Sequence, residues 1–237
     1  MGPWSWLMSC IATPSVWLGS VVRRQIRQVE HEVYGQMKTV EFWFEFASTY
    51  SYLSAMRIEQ AADAKTVKIE WKPFLLGPIF HSCGWHTSPF EIYPQKGIYM
   101  WRDMARRAAK YGLPFHALRK EKGHVFPQNS VSAARLAILG LELGWGTDFC
   151  RSVYHAEFVL NRDIADQELL FDLARQAGAS EDHIKAAFGD ENKSKLRKQT
   201  DKAMEHGIFG APSFIAQGEL FWGDDRLDDA IECAASE

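Results

Sequence analysis

From residue 40 apolar and polar side chains alternate. Val40, Phe42, Phe44 and Phe46 fall on one side, and Glu41, Trp43 and Glu45 on the other. Alternation with aromatic enrichment predicts a β-strand. Ser48-Thr49-Tyr50-Ser51 follows, a cluster of helix-start residues. The period then changes: Leu53, Met56, Ile58, Ala61 and Ala62 predict a helix over residues 52–65. Alternation returns over residues 67–72, and Pro73 ends it. Strand, helix, strand is a βαβ unit.

The middle of the chain reads as helical. Ile98, Trp101, Ala105 and Ala108 predict one face of a helix that Gly112 and Pro114 stop. Asn129 or Ser130 caps a second helix, apolar on most sides, that runs to about Leu143. A third begins near Asp148. Asp166 caps a fourth, with Leu169, Leu170, Leu173 and Ala177 inward and Gly178 at its end; Ser180 caps a short fifth. A charged, exposed helix is expected over residues 192–206.

Strands then resume. Residues 213–216 and 219–222 flank Gln217-Gly218, a hairpin turn, and a last helix runs over residues 226–235. Strand-helix-strand, helices, then strand-strand-helix is the order of an α/β thioredoxin-like domain carrying an all-helical insertion. The expected boundaries are 37–80 and 207–237 for the thioredoxin-like part and 81–206 for the insertion. Residues 1–36 differ: an apolar stretch broken by Pro14 and Gly19 and followed by Arg23-Arg24. No basic residue precedes it, as a secretory signal would require, and it is a poor membrane span. The favoured reading is an over-long start before Met37, or a loose extension; a membrane-surface anchor is the alternative.

Composition narrows the classes. The chain has 237 residues, 46% hydrophobic and 24% charged, which argues for a globular protein. A net charge of −3 gives no basic signature for nucleic acid. Cys10, Cys83, Cys150 and Cys233 lie far apart, which argues against a disulfide scaffold and a four-cysteine zinc site and for a reducing, cytoplasmic setting. His81, Cys83 and His86 lack a clear fourth partner, so a polar loop is expected there and no metal.

Three segments carry candidate chemistry. In a thioredoxin-like fold the strand-to-helix turn holds a C-x-x-C pair. Here Ser48 and Ser51 stand in both cysteine positions, which excludes dithiol chemistry at this turn. A helix start still offers unpaired N–H groups, suited to an anion such as a ligand thiolate, although a serine there is also an ordinary N-cap. Ala211-Pro212, after Gly210 and before a strand, is either a cis-proline facing that turn or a loop proline at a strand edge. Trp222-Gly223-Asp224-Asp225 offers close backbone approach and two carboxylates for an α-ammonium group, or simple helix capping. Lys96 is either a partner for a ligand carboxylate or a solvated lysine.

Together these pieces resemble a family. Phe44 to Leu53, Trp71-Lys72-Pro73-Phe74-Leu75-Leu76-Gly77, Lys96-Gly97-Ile98-Tyr99-Met100, Phe126-Pro127-Gln128-Asn129-Ser130, Phe209 to Phe214 and Leu220 to Leu227 match, in order, the 2-hydroxychromene-2-carboxylate isomerases. More broadly, the chain from Met37 resembles the kappa-class glutathione transferases. The resemblance implies glutathione as cofactor, a small aromatic substrate and a homodimer; charge and the poor apolar stretch give the expectation of no nucleic-acid and no membrane partner. It implies Ser48 at the glutathione sulfur, Lys96 at the glycyl end and Ala211, before Pro212, at the cysteinyl backbone. Asp224 and Asp225 fall at the γ-glutamyl end, lined by Trp222 and Gly223. The implied reaction is a cis-trans isomerisation by thiolate addition, rotation and elimination. A glutathione transferase or peroxidase, and a non-catalytic thiol-ligand or peptide binder, are the alternatives. Thr49, where the family usually has proline, and Thr87, where it tends to have asparagine, depart from the pattern. Trp43, Phe74, Trp85 and Trp101 are candidate walls of the substrate pocket, or core residues.

Overall fold

The computed structural model describes residues 38–116 and 125–236. The expectations for residues 1–36, and for Cys10 within them, lie outside the described residues. Four strands form one mixed sheet: β1 (Thr39–Phe44), β2 (Lys68–Pro73), β3 (Ser213–Ala216) and β4 (Glu219–Trp222), in the order β2-β1-β3-β4. Strand β1 pairs parallel with β2 and antiparallel with β3, and β3 pairs antiparallel with β4. The β3–β4 hairpin turns at Gln217 and Gly218, both at positive φ (51° and 80°), as its sequence predicts.

The crossover from β1 to β2 is two helices, α1 (Thr49–Ala55) and α2 (Ile58–Asp63), rather than one. The apolar period runs on across the break because Ile58 is buried and Met56 packs on the same core. The break lies at Met56-Arg57. There Arg57 leaves helical geometry (φ −128°, ψ −12°), and its guanidinium donates to the Asp224 carbonyl oxygen at 3.0 Å.

Helices α3 (Leu76–Ser82), α4 (Pro89–Ile92), α5 (Pro94–Tyr111), α6 (Val131–Leu143), α7 (Gly146–Phe158), α8 (Gln167–Ala177), α9 (Glu181–Ala187) and α10 (Asp190–Glu205) follow. Helix α11 (Leu227–Ala235) closes the chain after a 3-10 turn over Asp224–Arg226. This is a thioredoxin fold with many added helices. Asp166 caps α8 and Ser180 caps α9, as expected. Helices α3 and α4 were not anticipated: they are short and hold little apolar period, and Ser88 caps α4 before Pro89.

Three expectations are corrected. The buried face of α5 is Met100, Met104 and Ala108, whereas Ile98 is 60% exposed and Ala105 is exposed. Helix α10 is not exposed all round: Leu196, Thr200 and Ala203 are buried. That burial explains the third case. The side of β1 that reads as polar is covered, with Trp43 packed among Phe74, Ile79, Ala203 and Ile208. The other side, Val40, Phe42 and Phe44, joins the main core with Phe214 and α11.

Helix α7 ties the helical segment to the end of β1. Tyr154 lies 5.2 Å from Phe46 between ring centres, and Phe158 lies 5.5 Å from Tyr52. Tyr154 also donates its hydroxyl to the Glu45 carbonyl oxygen at 3.1 Å. The turn after β1 is therefore held in a stack of buried rings, and offset ring pairs of this kind add about 0.5–1.5 kcal/mol each beyond their buried area. Among the described residues no helix is long and apolar enough to cross a membrane.

Candidate active site

The site is built on the turn between β1 and α1. Ser48 is the N-cap of α1 (φ −88°, ψ 113°). Its Oγ accepts from the Ser51 N–H at 3.3 Å and donates to the Ala211 carbonyl oxygen at 2.8 Å. Capping satisfies one of the first orphan N–H groups and leaves those of Thr49 and Tyr50 without an intrahelical partner. Thr49 adds a buried hydroxyl that has no hydrogen-bond partner. The Ala211-Pro212 peptide is cis, and it faces this turn. Of the two readings of Pro212, the structure selects the first.

The second edge follows from two glycines. A Cβ at Gly210 would lie 2.4 Å from Trp222 Nε1, so only glycine lets the indole approach the backbone there. Gly223 (φ +108°) turns the chain out of β4, and its N–H donates to the Pro212 carbonyl oxygen at 3.0 Å. That turn delivers Asp224 and Asp225 next to the cis-proline.

One cavity of about 980 Å³ joins these pieces. Ser48, Lys96, Ala211, Pro212, Trp222, Gly223, Asp224 and Asp225 all line it, together with Thr49, Thr87 and Trp85. The catalytic and cofactor-binding residues expected from the sequence therefore all line one cavity. Of the four aromatic wall candidates only Trp85 lines it. Trp43 and Phe74 are core, 0% and 1% exposed. Trp101 packs edge-on to Phe126 at 4.9 Å, while Phe126 lines the cavity in its place.

The two aspartates part company. Asp224 is 1% exposed, and its carboxylate accepts from Arg107 Nη2 at 2.6 Å, from Ser54 Oγ at 3.1 Å and from the Tyr111 hydroxyl at 3.2 Å, with Arg57 Nε at 3.5 Å. Its charge is already matched inside the protein. The accessible carboxylate of the pair is Asp225, half exposed and paired with Arg226 at 3.2 Å. Lys96 is exposed at the start of α5, with its Nζ 5.9 Å from the Phe90 ring.

Three polar groups at the cavity escape a reading of the sequence alone. Arg107, on α5, bridges to Asp224. Tyr50 donates to Asp103 at 2.9 Å, and burial, with that bond, pushes its phenol up. Glu45 lines the cavity three residues before Ser48 and is 7% exposed. Burial pushes its carboxyl up to about 7, against the Ser130 hydroxyl and the Ala47 N–H, whose bonds favour the anion. The one signal that could have found Glu45 is a carboxylate between the core aromatics Phe44 and Phe46, just past the end of β1; Arg107 and Tyr50 carry no local signal. Among the described residues no three His, Cys, Asp or Glu side chains gather in a way that could hold a metal.

Comparison with known proteins follows the same lines. A family model described as DSBA-like thioredoxin domain matches residues 39–232. A 2-hydroxychromene-2-carboxylate isomerase of Sphingobium xenophagum is 28% identical over 197 residues, which are 81% of this chain and 95% of the relative. Glutathione S-transferase kappa 1 of Homo sapiens is 24% identical over 201 residues, 81% of this chain and 88% of the relative. Among solved structures, a 2-hydroxychromene-2-carboxylate isomerase superposes with a TM-score of 0.66 at 23% identity, over 80% of this chain and 90% of that one.

Proposed function

The chain belongs to the DSBA-like thioredoxin domain family, and on that premise we propose that it is a glutathione-dependent isomerase of an aromatic-degradation intermediate of the 2-hydroxychromene-2-carboxylate type. One observation carries the reading. The helix-start turn that bears redox cysteines in dithiol enzymes bears Ser48 and Ser51 here, and it opens into a cavity with charges at its far edges. The turn can hold a sulfur but cannot supply one.

The donor set fits glutathione. A cation (Lys96) and an accessible carboxylate (Asp225) share the cavity with Ser48, matching a ligand with carboxylate, thiol and ammonium in sequence. Bound glutathione would supply a thiolate that adds reversibly to a conjugated carbon, so that a double bond loses its character, rotates and is restored. Ser48 gives its proton to the Ala211 carbonyl oxygen. To donate to a sulfur, its hydroxyl rotates away, and that carbonyl becomes free to accept a ligand N–H. One rotor thus couples backbone capture to thiolate stabilisation. Asp224 serves by holding the turn, and Asp225 by meeting the ammonium. The exposed wall at Trp85 and Thr87 contacts the aromatic substrate.

The experiment is incubation with glutathione and the hydroxychromene. Isomerised product with glutathione unconsumed is expected. Consumed glutathione would favour the transferase or peroxidase reading, which the kappa relative supports. Glutathione binding without either reaction would leave a thiol-ligand binder. The same reading carries a cytoplasmic homodimer, for which sedimentation at micromolar concentration is the check.

A further inference from the structure

Glu45 takes no part in the reading above, yet it lies in the wall of the same cavity. Its main chain is fixed from two sides: the Ser48 N–H donates to its carbonyl oxygen at 3.0 Å, and the Tyr154 hydroxyl donates to the same atom at 3.1 Å. Its carboxyl accepts from the Ser130 hydroxyl, which also lines the cavity. Among the described residues Glu45 forms no ion pair with a cation. We propose that Glu45 is a catalytic residue that lends a proton to the substrate oxygen on which negative charge gathers during isomerisation, and takes it back afterwards.

This rests on the isomerase reading and deepens it. The alternative role, a bolt between the β1–α1 turn and the start of α6, needs only a neutral hydrogen-bonding group. A carboxyl confined with no counter-charge is costly for that purpose and apt for proton exchange. The groups that face it are those of α7. A charge on Glu45 pushes both the Tyr154 phenol and the Glu157 carboxyl up, with burial the larger cause in each, and Glu157 is itself fully buried with both oxygens unpartnered. Glu157 does not line the cavity, so of the two acids Glu45 alone can meet a substrate. A carboxyl titrating at about 7 is half protonated at neutral pH, where a proton donor that must also be a proton acceptor works best.

The balance is one proton. The O–H bond of the Glu45 acid breaks, its electron pair stays on the carboxylate, and an O–H bond forms at the substrate oxygen. When the double bond is restored, the carboxylate recovers the same proton. Nothing is oxidised or reduced, and no co-reactant is consumed.

Two readouts test this. In ligand-free protein, infrared titration is expected to show a protonated-carboxyl band that disappears near pH 7 and is missing from Glu45→Gln. A wild-type band that titrates in the ordinary carboxylate range would overturn the proposal. In turnover, Glu45→Gln is expected to lower kcat about 10²–10⁴-fold and to abolish the fall of kcat above pH 7, with glutathione affinity unchanged. Should Glu45→Gln not fold, Ser130→Ala serves instead. It removes a bond that favours the anion, so the alkaline fall moves to higher pH. An active wild type with kcat and pH profile untouched in either variant would sink the Glu45 step alone. A wild type inert toward the hydroxychromene would sink the isomerase reading and this step with it.

Discussion

The two walls of the cavity are built by opposite means. The wall at the β1–α1 turn and the cis-proline rests on the sheet: Phe44 and Phe46 are at most 1% exposed, and Ser48 bonds across 163 residues to Ala211. The facing wall comes from the loop after α3 and the first turns of α5, where Trp85 is 37% and Tyr99 60% exposed and Lys96 is solvated. A group that must meet a reacting atom within a fraction of an ångström belongs on the first wall. A surface that must accommodate a substrate's outline belongs on the second, where side chains change at little cost to stability. The contrast is one of chemistry held rigid against selection left open.

The contrast breaks most severely at Asp224. Asp224→Ala leaves Arg57 and Arg107 facing each other without their shared counter-charge. Both guanidiniums reach solvent in part, so the loss is expected at about 3 kcal/mol, the lower end for a broken buried pair. Urea denaturation measures it. Asp225→Ala, one residue on but half exposed, is expected to stay within about 0.5 kcal/mol of wild type while weakening glutathione binding.

Glu45 gives the next effect, and its sign runs against the usual carboxylate. Its folded pKa, about 7, lies above its unfolded value of 4.5, so the folded state holds the proton more tightly. The stabilisation is full below pH 4.5 and is lost as pH rises through 7, amounting to about 3 kcal/mol at most. Stability curves between pH 5 and 8 are expected to fall more steeply for wild type than for Glu45→Gln. Parallel curves would remove the buried-acid account.

Smaller effects separate the walls further. Ser48→Ala loses a cap and a hydrogen bond to Ala211, about 1 kcal/mol of stability by thermal unfolding. Lys96→Ala on the open wall is expected to cost almost nothing in stability and to weaken glutathione binding by up to about tenfold, as a solvated charge pair allows. If Lys96→Ala were instead the destabilising one, the division between the walls would be wrong.

Which parts were legible follows from the same division. Strand β1, the Ser48 turn, the Gln217-Gly218 hairpin and the caps at Asp166 and Ser180 are written in local pattern and turn chemistry, and they stand as read. Trp43 and Glu45 misled because alternation identifies two faces of a strand but not that α10 and the helical segment cover the second. The break at Arg57 has no local signal, and the partner Arg57 meets there, Asp224, lies 167 residues away. Asp224 and Asp225 look equivalent in sequence, and only the approach of Arg57 and of α5 buries one among its partners and leaves the other half exposed. The network through Arg107, Tyr111 and Ser54 has no local signature, since the first two lie on α5, Ser54 lies on α1, and Asp224, which joins them, is more than 100 residues from each.

The central claim is that the Ser48 turn activates a thiol the protein does not own. Titration of the thiolate absorbance of glutathione, with protein in excess and protein alone subtracted, tests it most directly. A bound thiol that ionises clearly below the free value of about 8.5, and that moves back toward it in Ser48→Ala, is the predicted result. A thiol that ionises as it does free in solution, with both proteins, would contradict the account.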